Sequence, residues 1–181
     1  MQKMRDIFVK FIRDGDGVTA IEFAMLAVPF TYMLIGLVEL SLLFAATGLL
    51  EFGTGKAARE IRTGDLQQMG TLNDAEDAFQ ATTCDYINAL MNCNKLQYEV
   101  VPAGDFSQAG SKSIQFDSDD NFDSRGFSLA GSNGIVLVRT VYRYELKTPF
   151  FAQIFSNRPD GKTRLLVSSS VIQIEPFRFN N

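Results

Sequence analysis

The chain has 181 residues, a net charge of −4 and no histidine, and its length is enough for one domain of ordinary size. Phosphate binding needs clustered Lys and Arg side chains, and no such cluster follows the apolar N-terminal segment, so no nucleic-acid partner is expected. The lack of histidine removes the commonest general base and the commonest transition-metal ligand, and no nucleophile-elbow pattern occurs, so we expect neither an enzyme nor a cofactor.

The first segment, residues 1–17, is a short basic leader that ends in glycine. Its Lys and Arg residues precede an Asp-Gly-Asp-Gly run that closes at Gly17, and an apolar stretch begins at Val18. A glycine-bearing junction suits a protease, because an extended backbone must enter the active site of the protease. The junction is therefore a candidate processing site.

Residues 18–50 form the second segment and are almost wholly apolar. A bilayer core of about 30 Å needs about 20 helical residues, so this segment is long enough to cross a membrane and protrude from it. As an alternative, a core helix of a soluble protein would have to be buried on all sides by the residues that follow, which are too few. A cleavable secretory signal would have an apolar region of about 7–15 residues and a small-x-small site, which Phe44-Ala45-Ala46 matches poorly.

Three residues interrupt this apolar segment: Glu22 at its edge, Pro29 in its first half and Glu39 in its second half. A carboxylate at the bilayer centre costs about 2.5–3.5 kcal/mol, so an intramembrane glutamate is a functional candidate by default. For Glu39 two interpretations are open: a functional intramembrane charge, or a side chain that reaches the far interface and is solvated there. Pro29 removes one backbone hydrogen bond and is expected to bend or loosen the helix.

Glu22 lies four residues after Val18. After a cut behind Gly17, the new α-amine of Val18 would lie one helical turn from this carboxylate, so the two charges would offset each other. The stretch Gly17-Val18-Thr19-Ala20-Ile21-Glu22-Phe23 resembles the processing motif of type IV prepilins, with glycine before the scissile bond and glutamate at the fifth mature position. The resemblance implies cleavage by a prepilin peptidase, N-methylation of Val18, and a role for Glu22 in neutralising the amine of a neighbouring subunit.

Two helices are predicted next. The apolar helix is expected to extend to about Arg62, with basic residues near its negative end and Gly64 closing it. Apolar residues at spacings of three and four between Leu72 and Leu90 predict a second helix. Asn73 and Asp74 are its expected N-terminal cap.

Cys84 and Cys93 are the only cysteines and are too few for a thiolate zinc site. In an oxidising compartment such a pair favours a disulfide, and two buried free thiols are the alternative. On one continuous helix the two residues would be about 13.5 Å apart along the axis, whereas a disulfide needs Cα atoms within about 7 Å. The helix is therefore expected to end near Met91, with residues 92–94 turning back.

The remainder is predicted to be antiparallel sheet, and with the second helix it forms an α+β domain over residues 63–181. The sheet is expected to have three to four strands, and the candidates are Leu96–Val101, Lys112–Phe116 (the weaker one), Ile135–Glu145 and Arg164–Ile174. Turn residues at 158–161 separate the last two. Alternation in the third strand places one set of side chains opposite Arg139, Arg143 and Glu145; that set is Val136, Val138, Thr140, Tyr142 and Tyr144.

Two further stretches allow more than one interpretation. Asp117, Asp119, Asn121 and Asp123 have the alternate-oxygen spacing of a calcium loop. However, the glycine and the bidentate glutamate of such a loop are missing, so a solvated acidic loop is preferred and no metal is expected. The aromatic stretch at residues 149–155 is expected to pack in the core between two strands; docking on a partner or on the membrane surface is the alternative.

Several segments in order resemble the TadE-like family, the pseudopilins of the tight adherence (Tad, or Flp) pilus system. They are Gly17–Ala24, Ala57–Gly64, the cysteine pair ahead of a strand, and the tail Glu175-Pro176-Phe177. TadF-like and TadG-like relatives share the same N-terminal signature. The resemblance implies a minor pilin or pseudopilin for assembly of an adhesion pilus. Its partners would be a prepilin peptidase, other pilin and pseudopilin subunits contacted through the N-terminal helix, and the assembly platform in the inner membrane.

Topology follows from the cysteines and from the prepilin resemblance. A disulfide favours a periplasmic C-terminal domain, and prepilin processing places the leader in the cytoplasm. We therefore expect a single-pass protein of the bacterial inner membrane that is a candidate for incorporation in the extracellular pilus. The alternative function is a membrane-tethered periplasmic binding module that never enters a filament.

Overall fold

The computed structural model describes residues 16–176. The leader residues 1–15 and Phe177 of the tail motif lie outside the described residues. The elements in chain order are α1 (Asp16–Thr63), α2 (Leu72–Ile87), β1 (Gln97–Ala103), α3 (Phe106–Ser111), β2 (Ile135–Glu145), α4 (Pro149–Phe155) and β3 (Thr163–Gln173), with short 3₁₀ turns at Leu66–Gln68 and Cys93–Lys95. By its contacts the chain divides into two units, one ending at Leu40 and the other beginning at Ser41.

The end of α1 has the glycine closure that the sequence predicts. Gly64 has φ 84°, and its N–H donates to Ile61 O, while Asp65 N–H donates to Glu60 O. These two bonds form a Schellman motif, in which a glycine in the left-handed region satisfies the last carbonyls of the helix. The expected end near Arg62 is confirmed.

Within the second unit, the later part of α1 is buried along one stripe. Its buried residues recur at spacings of three and four and include Leu43, Ala46, Leu50, Ala57 and Ile61. This spacing places them on one face of the helix. The first of these residues in the domain core cluster is Ala57, where the helix joins residues from α2 and the sheet.

Gly53 lets α1 approach α2 closely. A Cβ built on Gly53 would lie 2.9 Å from Thr83 O, closer than real Cβ atoms come to a backbone oxygen. Beside this contact, the rings of Phe52 and Tyr86 meet edge to face with centroids 4.9 Å apart, an arrangement that aromatic pairs prefer. The helix-weakening glycine is therefore required by packing.

The N-terminus of α2 is capped by Thr71, so the expected caps Asn73 and Asp74 are wrong as caps. Thr71 Oγ1 accepts from Asp74 N–H at 3.2 Å, and Asp74 Oδ2 accepts from Thr71 N–H at 3.0 Å. This reciprocal pair is a capping box, in which Asp74 occupies the third helical position. The helix starts earlier than expected because the box satisfies two free backbone N–H groups at once.

Cys84 and Cys93 form the predicted disulfide, with Cα atoms 5.6 Å apart. The chain can close this bond because α2 ends at Ile87, earlier than the expected Met91, and residues 88–91 turn back. The bond links the last turn of α2 to the 3₁₀ turn that precedes β1.

Replacing Cys84 with alanine is expected to lower the free energy of unfolding by about 2–3 kcal/mol. The disulfide restricts the unfolded chain by closing a short loop, and without it the unfolded state regains that conformational entropy. The measurement is urea unfolding of the full chain in detergent. As a control, a reducing agent should destabilise the wild type by the same amount and leave a double Cys84→Ala, Cys93→Ala variant unchanged. Equal stability of the wild type and the single variant would contradict the prediction.

Within residues 16–176, the sheet has three antiparallel strands in the order β1-β2-β3, which confirms the α+β class. Even-numbered residues of the central strand, such as Val136 and Val138, join the core that contains Ile61 of α1 and Phe79 of α2. On the same face Thr140 Oγ1 lies 2.5 Å from Thr54 Oγ1 of α1, so a hydroxyl pair bridges the helix and the sheet.

The opposite face of the sheet is also covered, which the alternation in β2 did not predict. Residues 136–142 are all buried, because α3, Lys112 and Arg125 lie on that side. The expected strand at Lys112–Phe116 is wrong: α3 ends at Ser111, and Phe116 forms only an isolated bridge with Phe122. At the start of the expected strand, Lys112 O accepts from the side chain of Arg139 and not from a neighbouring strand.

The aromatic stretch forms the short helix α4 and does not pack between strands. Ala152 is buried, whereas Phe150 is 54% exposed and Ile154 is 58% exposed. Core packing was therefore the wrong expectation for these two side chains. Pro149 stands in the first turn of the helix, where its fixed φ and missing N–H favour a helix start over a strand.

The predicted turn at residues 158–161 connects α4 to β3. Gly161 has φ 61°, the left-handed conformation that favours glycine. Asp160 Oδ1 accepts from Lys162 N–H and Thr163 N–H, and Oδ2 accepts from Thr163 Oγ1. The Thr163 hydroxyl and these two backbone N–H groups lower the pKa of Asp160 to about 2, so the turn keeps its charged acceptor across the physiological range.

Candidate functional site

The predicted processing junction lies at the start of α1. The helix begins at Asp16, so the Gly17–Val18 peptide bond is in its first turn. A Cβ built on Gly17 would meet no atom within 4 Å. No contact of the described residues therefore requires a glycine at this position. A requirement for glycine here would have a cause other than the packing of these residues.

Glu22 lies one turn further along the same face as Val18, because residues four apart on a helix are neighbours. The side chain is exposed, and the helix around it presents mainly apolar groups: Ile21, Phe23 and Met25 are each more than 60% exposed. A carboxylate in such surroundings attracts a cation when a membrane or another apolar surface covers it.

The first unit presents a long apolar surface around and beyond Glu22. The large exposed apolar residues of this stretch are Ile21, Phe23, Met25, Leu26, Val28, Phe30, Tyr32, Met33, Leu34, Ile35, Leu37 and Val38. Among the residues that the structure describes, α1 is the one helix long and apolar enough to span a membrane, judged by length and composition. Such a surface needs a lipid or protein cover, since soluble proteins rarely expose large contiguous apolar patches.

Pro29 does not end the helix. It lies inside α1, which continues on both sides of it, and a shallow apolar groove is lined by Ala27, Val28, Thr31, Tyr32 and Ile35. Proline leaves one carbonyl without its helical partner. The helix nevertheless remains continuous through Pro29.

Glu39 is buried, with 7% of its surface exposed. Of the two interpretations left open by the sequence, a side chain freely solvated at the far interface does not match this burial. Burying a carboxylate is unfavourable unless partners compensate for the lost water. Glu39 is thus a less accessible group than Glu22, whose side chain is exposed.

The domain contains a buried ion cluster that the sequence patterns did not reveal. Glu99 of β1 is completely buried, and Arg139 of β2 is 6% exposed. Arg139 Nη1 donates to Glu99 Oε1 at 2.5 Å, and Arg125 Nη1 donates to both carboxylate oxygens at 3.0 and 3.1 Å. Two guanidinium groups therefore neutralise one carboxylate in the interior.

This cluster ties the long segment after β1 to the sheet. Arg139 Nη2 donates to Lys112 O, and Arg139 Nε donates to Ser169 Oγ of β3. Arg125 Nη2 donates to Ser113 O. Glu99 and Arg139 are directly opposite in the β1–β2 register, and Arg139 faces Ser169 in the β2–β3 register. Sequence alternation alone assigned Arg139 to a polar face; only the register pairs it with Glu99.

The candidate calcium loop is a closed turn. Asp117 Oδ1 accepts from Asp119 N–H at 2.9 Å and Asn121 N–H at 2.7 Å, and the Asn121 N–H lowers the pKa of the Asp117 carboxyl. Asp120 instead forms an ion pair with Arg158. Asp123 donates its backbone N–H to Gln115 O. Within residues 16–176, no three His, Cys, Asp or Glu side chains are grouped to hold a metal ion.

Comparison with known proteins agrees with the family suggested by the sequence. A family model described as TadE-like protein matches residues 17–59, which begin at the processing junction and include Glu22 and Glu39. The match ends at Arg59, so the tail motif at Glu175 lies outside it. No curated protein and no solved structure matches the chain significantly.

Proposed function

Because the chain is TadE-like over residues 17–59, which associates it with the Tad pilus system, we propose that it is a minor pilin or pseudopilin for assembly of a Tad/Flp-type adhesion pilus. The precursor is cut between Gly17 and Val18 by a prepilin peptidase, and Val18 is N-methylated. The mature protein is anchored in the bacterial inner membrane with its domain in the periplasm, and it acts in priming, at the tip or in regulation.

The observation that carries this proposal is the placement of Glu22. Its carboxylate is exposed on an apolar helix, four residues after the junction. Gly17, at the junction, is not required by any contact of the fold. A plain membrane anchor needs neither residue, whereas a processed helix that packs against other helices needs a cut site and a partner for the new amine.

The same helix supplies the physical basis of assembly. Its apolar surface holds the subunit in the bilayer, and the same surface packs against neighbouring pilin helices once the assembly platform extracts it. The Val18 amine and Glu22 carboxylate of adjacent subunits compensate each other's charge in a medium of low dielectric constant. The folded domain after α1 is too bulky for the many-copy shaft that small pilins build, which favours a minor role.

Mass spectrometry of the protein from its native membrane is expected to show an N-terminus at Val18. A Gly17→Leu variant should retain the leader while keeping the same fold, because space around Gly17 is open. The matched control is Gly55→Leu, a second α1 glycine with open surroundings, which should still be cut. An intact Met1 in the wild type, or a cut near Ala46, would contradict the proposal.

A further inference from the structure

The two edges of the sheet differ in how they are covered. On the β1 edge, Val100 N–H donates to Gly126 O at 3.0 Å, and Val100 O accepts from Ser128 N–H at 2.8 Å. Pro102 on the same edge has no N–H to offer. The β1 edge is therefore largely closed by the chain itself.

Within residues 16–176, the β3 edge is open over most of its length. In an antiparallel ladder, alternate residues direct both backbone groups to one neighbour, and the remaining residues direct theirs outward. Leu165 points outward, since the side chain of Asn157 accepts from its N–H at 2.8 Å. By the same alternation Val167, Ser169 and Val171 point outward, and among residues 16–176 no backbone partner pairs with them.

This edge carries none of the features that usually prevent pairing. Natural edge strands are protected by charges, proline, bulges or short length. β3 is 11 residues long, pairs with β2 in one unbroken register, and has neither charge nor proline between Leu165 and Gln173. An open strand of this kind is a template for another strand.

The sequence of β3 is nearly symmetric about Ser169. Ser168 and Ser170 flank it, Val167 and Val171 follow, and the next pair is Leu166 and Ile172. When two such strands run antiparallel about Ser169, serine lies opposite serine, valine opposite valine and Leu166 opposite Ile172, and a two-fold axis at Ser169 makes each contact occur twice. No like charges would meet across this interface.

We propose that the β3 edge binds the β3 edge of a second copy of this chain, joining two three-stranded sheets into one. Ser169 of each copy lies opposite Ser169 of the other, and Val167 lies opposite Val171. Because Ser169 directs both backbone groups outward, the symmetric pair exchanges both hydrogen bonds, and so do the two flanking valine pairs. This contact involves the domain and is independent of the membrane helix and of leader cleavage.

Cysteine cross-linking tests the register. Full-length Val167→Cys and Val171→Cys variants, each carrying a different tag, are produced together in membranes and oxidised. The mixture is expected to form a disulfide-linked dimer carrying both tags, since directly opposed residues have Cα atoms about 5.5 Å apart. Each variant alone should form at least fivefold less dimer, because two copies of the same position are separated by about four residues along the strand, or about 13 Å.

Val171→Lys gives a second readout without cysteine. The wild type in detergent is expected to have the mass of a dimer, and the variant that of a monomer, because a charge on an edge opposes pairing. An unchanged circular dichroism spectrum shows that the variant remains folded, although its unfolding midpoint is expected to fall because a dimer stabilises the native state. The proposal is overturned if single cysteine variants cross-link as well as the mixture, if the mixture does not cross-link, or if the wild type is monomeric.

Discussion

Glu22→Ala is expected to abolish pilus assembly while the protein is still made, inserted and cut at Val18. Without the carboxylate, the amine of Val18 has no counter-charge when helices pack. An uncompensated charge within a bilayer costs about 2.5–3.5 kcal/mol, which corresponds to roughly a hundredfold in an equilibrium. Pili counted by electron microscopy, together with immunoblots of membrane and sheared fractions, measure the outcome.

Two control variants separate charge from shape and position. Glu22→Gln keeps the size of the side chain and should fail almost as completely as alanine. Glu51→Ala removes another exposed glutamate of α1, outside the apolar stretch, and should leave assembly intact. Normal pili in the Glu22→Ala strain would favour the alternative that the sequence left open, a tethered periplasmic binding module.

Arg139→Ala is expected to be the most destabilising single change in the domain. It leaves Glu99 completely buried with only Arg125 as a charged partner, and breaking a buried ion pair on one side costs about 3–5 kcal/mol. It also leaves Lys112 O and Ser169 Oγ without their donor. Urea unfolding of the full chain in detergent, followed by tyrosine fluorescence or circular dichroism, gives the difference.

The matched control is Arg143→Ala, in the same strand. Arg143 is partly exposed and lies 3.9 Å from the carboxylate of Asp120, a surface pairing worth about 0–1 kcal/mol. A triple variant, Glu99→Leu with Arg125→Met and Arg139→Met, removes every charge of the cluster and should recover much of the lost stability. An Arg139→Ala variant within about 1 kcal/mol of the wild type would show that the cluster is not a stabilising clamp.

Elements set by local chemistry were predictable. The closure of α1 at Gly64 and the full length of β2 match the structure because a helix-ending glycine and an uninterrupted β-rich run act over a few residues. The start of α2 was displaced because Thr71 competes with Asn73 and Asp74 for the cap. In α4, a proline at the first turn outweighed the aromatic content that suggested core packing.

The sequence by itself determined the features that depend on neighbouring residues or on total apolar length: a helix apolar and long enough to span a membrane, the predicted junction after Gly17, the charge at Glu22 and the Cys84–Cys93 pairing. These follow from the spacing of residues along one element and from the chemistry of each side chain. They include every residue on which the proposed function depends.

Tertiary structure alone decided what lies between elements. Glu99 meets Arg139 only through the β1–β2 register, and Gly53 is needed only because α2 passes within contact distance. Among residues 16–176, residues 126–128 cover the β1 edge while most of the β3 edge has no backbone partner, a difference that only the path of the folded chain creates. Such contacts join residues distant in sequence, so their spacing is set by the path of the folded chain and not by any local periodicity.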